Sequence, residues 1–164
     1  MEKQVIECIL DLETSLSQQA DRVDYPLQDV AMVDVVIDCC QRNGWQFERL
    51  DEDALTMAFQ SHDYQWECQL QILEAAKQLI IYSALPVKIP ASKQQTAVEL
   101  VTRLNYGLKI GNFDLDLENL AIYYKTSLDV ENAHIDSALI NRLFHTNLTT
   151  VSKLMPEFVA LETT

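Results

Sequence analysis

The chain has 164 residues, 48% of them hydrophobic, with only 3 Gly and 4 Pro; that suits one self-supporting core and excludes a disordered or low-complexity protein. Twenty-five acidic residues against 12 basic ones give a formal charge of −13, beyond the magnitude of roughly 2–8 usual for small soluble domains. A field of this sign repels phosphate backbones and anionic bilayers, so neither nucleic acid nor membrane is an expected partner, and proteins with basic segments are favoured.

Val5, Ile9, Leu12 and Leu16 recur at helical spacing and predict a helix over 2–18. Polar residues up to Asp24, then Pro26, separate it from the rest of the chain, so 1–25 reads as an N-terminal helical appendage and 26–164 as the domain proper. A second helix is expected over 27–43 on Val30, Val33, Val36, Ile37 and Cys40, stopped by Asn43-Gly44. Trp45 to Leu50 reads as a short strand and Asp51-Glu52-Asp53 as a turn. Alternation in Leu55, Met57, Phe59 and then in Trp66, Cys68, Leu70, Ile72 predicts two more strands. The apolar run Leu79 to Leu85 reads as a central strand. Pro86 and Pro90 close it and open a helix over 91–108 with Ala97, Val98, Val101, Leu104 and Leu108 on its apolar stripe.

A hairpin comes next. Phe113, Leu115 and Leu117 alternate with Asp114, Asp116 and Glu118; Ile122, Tyr124, Leu128 and Val130 alternate with Tyr123, Lys125, Ser127 and Asp129. With Glu118-Asn119 as a two-residue loop, Leu115 faces Ile122, Phe113 faces Tyr124, and Asp114 lies opposite Tyr123. Asp136 is an N-cap candidate, with Ile135 and Ile140 as a hydrophobic staple. Leu139, Ile140, Leu143 and Phe144 form that helix's stripe and Asn147 ends it. A last helix carries Val151, Leu154, Met155 and Phe158, with Pro156 kinking or dividing it. The sequence predicts an α+β fold: an antiparallel sheet with helices packed on it.

The chemistry-bearing residues do not assemble into a catalytic set. His62, His134 and His145 are far apart and show no metal-ligand spacing. Gly107 and Gly111 follow a helix and precede a strand, the wrong order for a phosphate loop. Asp51, Glu52 and Asp53 lack the Gly and terminal Glu of a calcium loop. Cys8, Cys39, Cys40 and Cys68 show no CxxC pattern, and Cys39 and Cys40 read as small core residues. No catalytic, cofactor or metal residue is expected, and the row Asp114, Asp116, Glu118 reads as a solvated strand face. The N-terminal MEKQVIECILDLE has no cleavage-site pattern and no run reaches the roughly 18 apolar residues of a membrane span, so a cytoplasmic setting is expected. One surface stands out. Tyr123 and Tyr124 point to opposite faces and Lys125 lies diagonally from Asp114, which makes Tyr123, Lys125, Asp114 and Asp116 the candidate protein-contact surface.

The segments RNGWQFERLDEDALTMAF, LIIYSALPVKIP, RLNYGLKIGNFDLDLEN and YYKTSLDVE resemble the YbjN-domain family, the bacterial sensory transduction regulators, over about Val30 to Phe158. The resemblance implies a fold similar to type III secretion chaperones, small acidic α+β proteins that commonly dimerise and bind protein segments without ATP; it assigns no catalytic residues. The chain departs from the family at Asn119-Leu120, where members usually carry Gly, and at Glu157, where Gly is common. The expectation is a non-enzymatic cytoplasmic protein-binding module, chaperone-like or regulatory, acting as a homodimer. The rival is a small-ligand sensor or an enzyme with a pocket between helix and sheet. An exposed apolar surface favours the first, and a pocket with converging polar groups the second.

Overall fold

The computed structural model describes residues 9–17, 20–26, 30–131 and 134–162. In chain order the elements are β1 (Ile9–Asp11), α1 (Leu12–Ser17), β2 (Asp24–Tyr25), α2 (Met32–Arg42), β3 (Glu48–Arg49), β4 (Ala54–Ser61), β5 (Tyr64–Leu73), β6 (Gln78–Ala84), α3 (Gln94–Gly107), β7 (Asn112–Leu115), β8 (Ile122–Asp129), β9 (Ile135–Asp136) and α4 (Ser137–Glu162). A sheet of order β1-β4-β5-β6-β8-β7 forms the centre, with β3 also paired to β4, and β2 and β9 make a small separate pair. All pairings among the described residues are antiparallel except β1 on β4. The α+β class with a mostly antiparallel sheet is as expected.

The period-2 pattern of the meander decides which face is buried. Leu55, Met57 and Phe59 on β4 pair with Leu70, Cys68 and Trp66 on β5, and all six are buried. Their neighbours on β5, Glu67, Gln69 and Gln71, are exposed. The same face continues through Leu79, Ile81 and Ser83 on β6 to Ile122, Tyr124 and Thr126 on β8. Helix α4 lies on this buried face and brings Ile140, Phe144, Leu148, Val151, Met155 and Phe158 to it. Aromatic packing joins the layers: Trp45 meets Phe144 edge-on at 4.8 Å, and Phe113 meets Tyr124 at 4.7 Å and Phe158 at 4.9 Å.

Several expectations change. The predicted N-terminal helix is strand at Ile9–Asp11 and helix only from Leu12 to Ser17; Val5 lies outside the described residues. This segment is fastened to the domain. Ile9 pairs with Ala58, the Trp45 indole donates to the Ser15 carbonyl at 3.2 Å, and Leu12 is buried in the core. Val23 and Ser137 exchange two hydrogen bonds at 2.8 Å. Spacing alone missed β1 because a three-residue strand is too short to show a period.

The two expected C-terminal helices are one. Pro156 lies inside α4 and removes one donor without ending the helix, because the buried stripe continues past it to Phe158 and Leu161. Asn147 does not end a helix either; it is fully buried in the middle of α4. Asp136 does cap the helix, its carboxylate accepting the Leu139 N–H at 2.7 Å. Strand β6 is central in order, yet Ile80, Tyr82 and Ala84 on its second face are only half-buried.

The hairpin register is Leu115 to Ile122, Phe113 to Tyr124 and Asp114 to Tyr123, as the alternation predicts. The loop is longer than two residues: the last main-chain bond runs from Asp116 N–H to the Ala121 carbonyl at 2.9 Å, which leaves 117–120 as the turn. Its positive φ falls on Leu120, at 54°, and not on Asn119. Asp116 stabilises the turn by accepting from the Glu118 N–H at 2.8 Å and the Asn119 amide at 2.9 Å.

Gly111 marks where the chain must turn onto the sheet edge. Its φ is 73°, and a Cβ there would lie 2.5 Å from the Tyr124 hydroxyl and 2.7 Å from the Lys125 carbonyl. Gly111→Ala should therefore lower the stability in urea unfolding by about 2 kcal/mol or more. Leu117→Ala, at a residue 58% exposed, should change it by less than about 0.5 kcal/mol. A reversed order would contradict this placement of the hairpin.

Candidate functional site

The packing uses one face of the sheet and leaves the other open. Along cross-strand rows the open face presents Gln69–Tyr82–Lys125–Asn112 and, beside it, Glu67–Ala84–Tyr123–Asp114. Tyr82, Tyr123 and Ile80 are half-buried, and α4, the helix that packs on β6 and β8, brings its buried residues to the other face. Lys125 Nζ pairs with Asp114 Oδ2 at 3.0 Å, the diagonal pair the alternation predicts. Both side chains stay partly exposed, so the pair adds at most about 1 kcal/mol, but it fixes a charged rim beside Tyr123. Three of the four predicted contact residues, Tyr123, Lys125 and Asp114, thus share one face. Asp116 sits at its end, and its carboxylate is held below the usual range by the Asn119 side chain and the turn N–H groups.

The edge beside this face is closed. Asn105 on α3 accepts from the Phe113 N–H at 2.7 Å and donates to the Phe113 carbonyl at 2.8 Å, so one amide occupies the outward main-chain groups of Phe113 as a neighbouring strand would. Tyr124 is buried, with its hydroxyl donating to the Ile110 carbonyl at 2.7 Å; burial raises its pKa. Hydrophobic residues do remain outside, with Tyr106 at the end of α3 96%, Ile110 in the following loop 58% and Leu117 in the hairpin turn 58% exposed. The helix-to-hairpin stretch therefore combines a structural lock with an apolar rim.

The buried face carries a polar cluster that spacing did not reveal. Asn147 accepts from the Ser83 hydroxyl at 2.5 Å and directs its Nδ2 to the Ile81 carbonyl at 3.2 Å and to Thr126 Oγ1 at 3.1 Å. Ser83 also receives the Trp66 indole N–H at 3.2 Å and lies 2.9 Å from Cys68 Sγ. A stripe drawn through Ile140, Phe144, Asn147, Val151 and Phe158 would have placed Asn147 on the inner face. Nearby, Asn43 donates to Asn141 Oδ1 at 2.9 Å and accepts from the Ala20 N–H at 3.1 Å. Both clusters are closed by packing and hydrogen-bonded within themselves.

Two grooves that open to solvent lie against α4. One, of about 540 Å³, runs along α4 past Leu139, Leu143 and Leu128, with Arg142 and His145 on its rim. The other, of about 580 Å³, lies between α1, the β4–β5 turn and the second half of α4, and includes Ser61, His62, Ser152 and Lys153. His62 is in the second groove and His145 in the first, while His134 is exposed and lines neither. Among the described residues no group of three His, Cys, Asp or Glu gathers as metal ligands would, and no helix is long and apolar enough to cross a membrane.

The family model YbjN, described as "Putative bacterial sensory transduction regulator", matches residues 32–160. No curated protein matches the sequence. Among solved structures, the chain is similar to the crystal structure of YbjN from E. coli, described there as "a putative transcription regulator", with a TM-score of 0.61 and 13% identity over 78% of this chain and 91% of that one. It is also similar to a chain of the HopA1–SchA chaperone–effector complex, with a TM-score of 0.52 and 13% identity over 80% of this chain and 98% of that one. At such identity the likeness is one of fold, shared with YbjN and with a chain of a chaperone–effector complex.

Thiol chemistry tests the buried side of this arrangement. Burial pushes the Cys39 and Cys68 thiols up to about 12, and Cys40 upward as well. Only the thiolate reacts, so at about pH 8, near the ordinary thiol pKa, all three should resist iodoacetamide in the native protein and react after urea is added. Fast native alkylation of any of them, read by mass spectrometry, would contradict the packing.

Proposed function

The chain belongs to the YbjN family of bacterial sensory transduction regulators, and from that membership we propose a non-enzymatic protein-binding regulatory module, chaperone-like in fold, that works as a cytoplasmic homodimer. The observation that carries the reading is the open sheet face with Tyr82, Tyr123 and the Asp114–Lys125 pair. Tyrosines provide large amphipathic contact area at low entropic cost, because only two torsions must be fixed. The half-buried Ile80 and Ala84 supply a flat apolar floor, and Asp114, Lys125 and Glu67 a charged rim. This is the layout of a protein contact, with an apolar centre and a polar border.

The net charge of −13 steers partners with basic segments to the molecule and slows approach of a second copy. A homodimer therefore forms against self-repulsion, and raised salt should tighten it by screening. Sedimentation at two salt concentrations reads this: the expected result is a larger dimer fraction at the higher salt. A monomer mass at micromolar protein in both would remove the dimer from the proposal.

The binding face has its own test. Proteins retained from a lysate of the source bacterium by the immobilised chain should be lost with Tyr123→Glu and kept with Gln71→Glu, an exposed position two rows away on the same face. Each variant's urea midpoint checks that folding is intact. Retention that is equal for wild type and folded Tyr123→Glu would defeat the face assigned here.

A further inference from the structure

We propose that the groove between α1, the β4–β5 turn and the second half of α4 binds a free amphiphile with one anionic head group and an apolar tail. Its volume of about 580 Å³ falls within the roughly 300–1,000 Å³ of small-molecule sites. Thr149, Ser152, Lys153 and Pro156 line it from α4 at spacings of three, four and seven residues, so they share one helix face. Leu12 and Leu16 face them from α1. This groove is separate from the open sheet face and lies on the α4 side of the sheet.

Its polar groups are oriented by one another. Ser152 Oγ lies 2.8 Å from Ser61 Oγ, and Ser61 Oγ lies 3.0 Å from His62 Nδ1. With Ser152 donating to Ser61 and Ser61 to Nδ1, the imidazole carries its proton on Nε2, free to donate outward. His62 is held in the left-handed region at φ 55°, a conformation that costs energy for a residue with a side chain and that a turn normally gives to Gly or Asn. Lys153 is exposed and makes no ion pair among the described residues. Among those residues Glu13 is the one acid lining the groove. A chain with 25 acidic and 12 basic residues thus presents here one ammonium and an imidazole N–H donor beside a single carboxylate, so its overall negative charge is locally balanced.

The rest of the lining is apolar. Leu12, Leu16, the Tyr64 ring and Pro156 supply the wall, and the Lys153 methylenes extend it towards the ammonium. An anion seated on Lys153 and His62 would therefore have an apolar body lying beside it, which describes a fatty carboxylate or alkyl phosphate. The same head group could come from a bilayer, but a net charge of −13 opposes approach to an anionic surface. The free molecule is the source that fits.

Calorimetric titration with dodecanoate below its micelle concentration tests this. One equivalent should bind, and dodecyltrimethylammonium should bind at least about tenfold more weakly. Lys153→Gln should weaken dodecanoate about tenfold. His62→Asn, which keeps a residue tolerant of positive φ, should weaken it about threefold or more. Arg142→Gln, in the other groove, should leave the affinity unchanged. The proposal is overturned by no binding to the folded chain, by equal affinity for the cationic amphiphile, by loss with Arg142→Gln in place of Lys153→Gln, or by binding only to phosphatidylglycerol vesicles.

Discussion

One side-chain amide organises this molecule. Asn147 sits fully buried in the middle of α4 and satisfies groups on β6 and β8 at once, the two strands at the centre of the buried face. An apolar residue there would take one partner each from the Ser83 hydroxyl, the Ile81 carbonyl and Thr126, and a buried polar group left unpaired costs about 1–3 kcal/mol. Hydrophobic packing would let α4 slide by a turn along an apolar sheet; the amide accepts one position only. That position sets the aromatic contacts of Phe158 with Phe113 and of Phe144 with Trp45, and with them the placement of the hairpin and of α2.

Because α4 is committed to one face, the opposite face is the surface left over for a partner. The family-specific stretch around residues 104–130 makes this division. Asn105 closes the outer edge of β7, Gly111 lets the chain turn beneath the Tyr124 hydroxyl, and Asp116 braces the turn. These residues are fixed by folding, which is why the stretch identifies a fold more readily than a reaction. Their neighbours on the other side of the same strands, Asp114, Tyr123 and Lys125, carry no such duty and are available for contact.

The sheet and its burial pattern were legible because period-2 alternation reports one covered face directly. The hairpin register was legible in the same alternation even though the loop length was not, since lengthening the turn by one residue on each side leaves the pairing unchanged. Three further things were not legible. Strand β1 is too short to show a period, and its parallel pairing with β4 depends on a contact almost fifty residues away in sequence. The continuity of α4 through Pro156 rests on tertiary packing that outweighs one lost hydrogen bond. The polar chain in the groove needed the fold, because Ser61 meets Ser152 across ninety-one residues. Asn147 was the one recoverable miss: reading it as a helix end broke a stripe that continued on either side of it.

The central claim, that a single buried amide fixes α4 on the sheet and so decides which face is free, is tested most directly by urea unfolding of Asn147→Ala beside amide exchange of the native state. The expected result is a loss of about 2–4 kcal/mol, together with faster exchange in α4 and in the facing parts of β6 and β8. A loss below about 0.5 kcal/mol with unchanged exchange, no more than an ordinary surface substitution gives, would contradict it, because α4 would then be held by apolar packing alone.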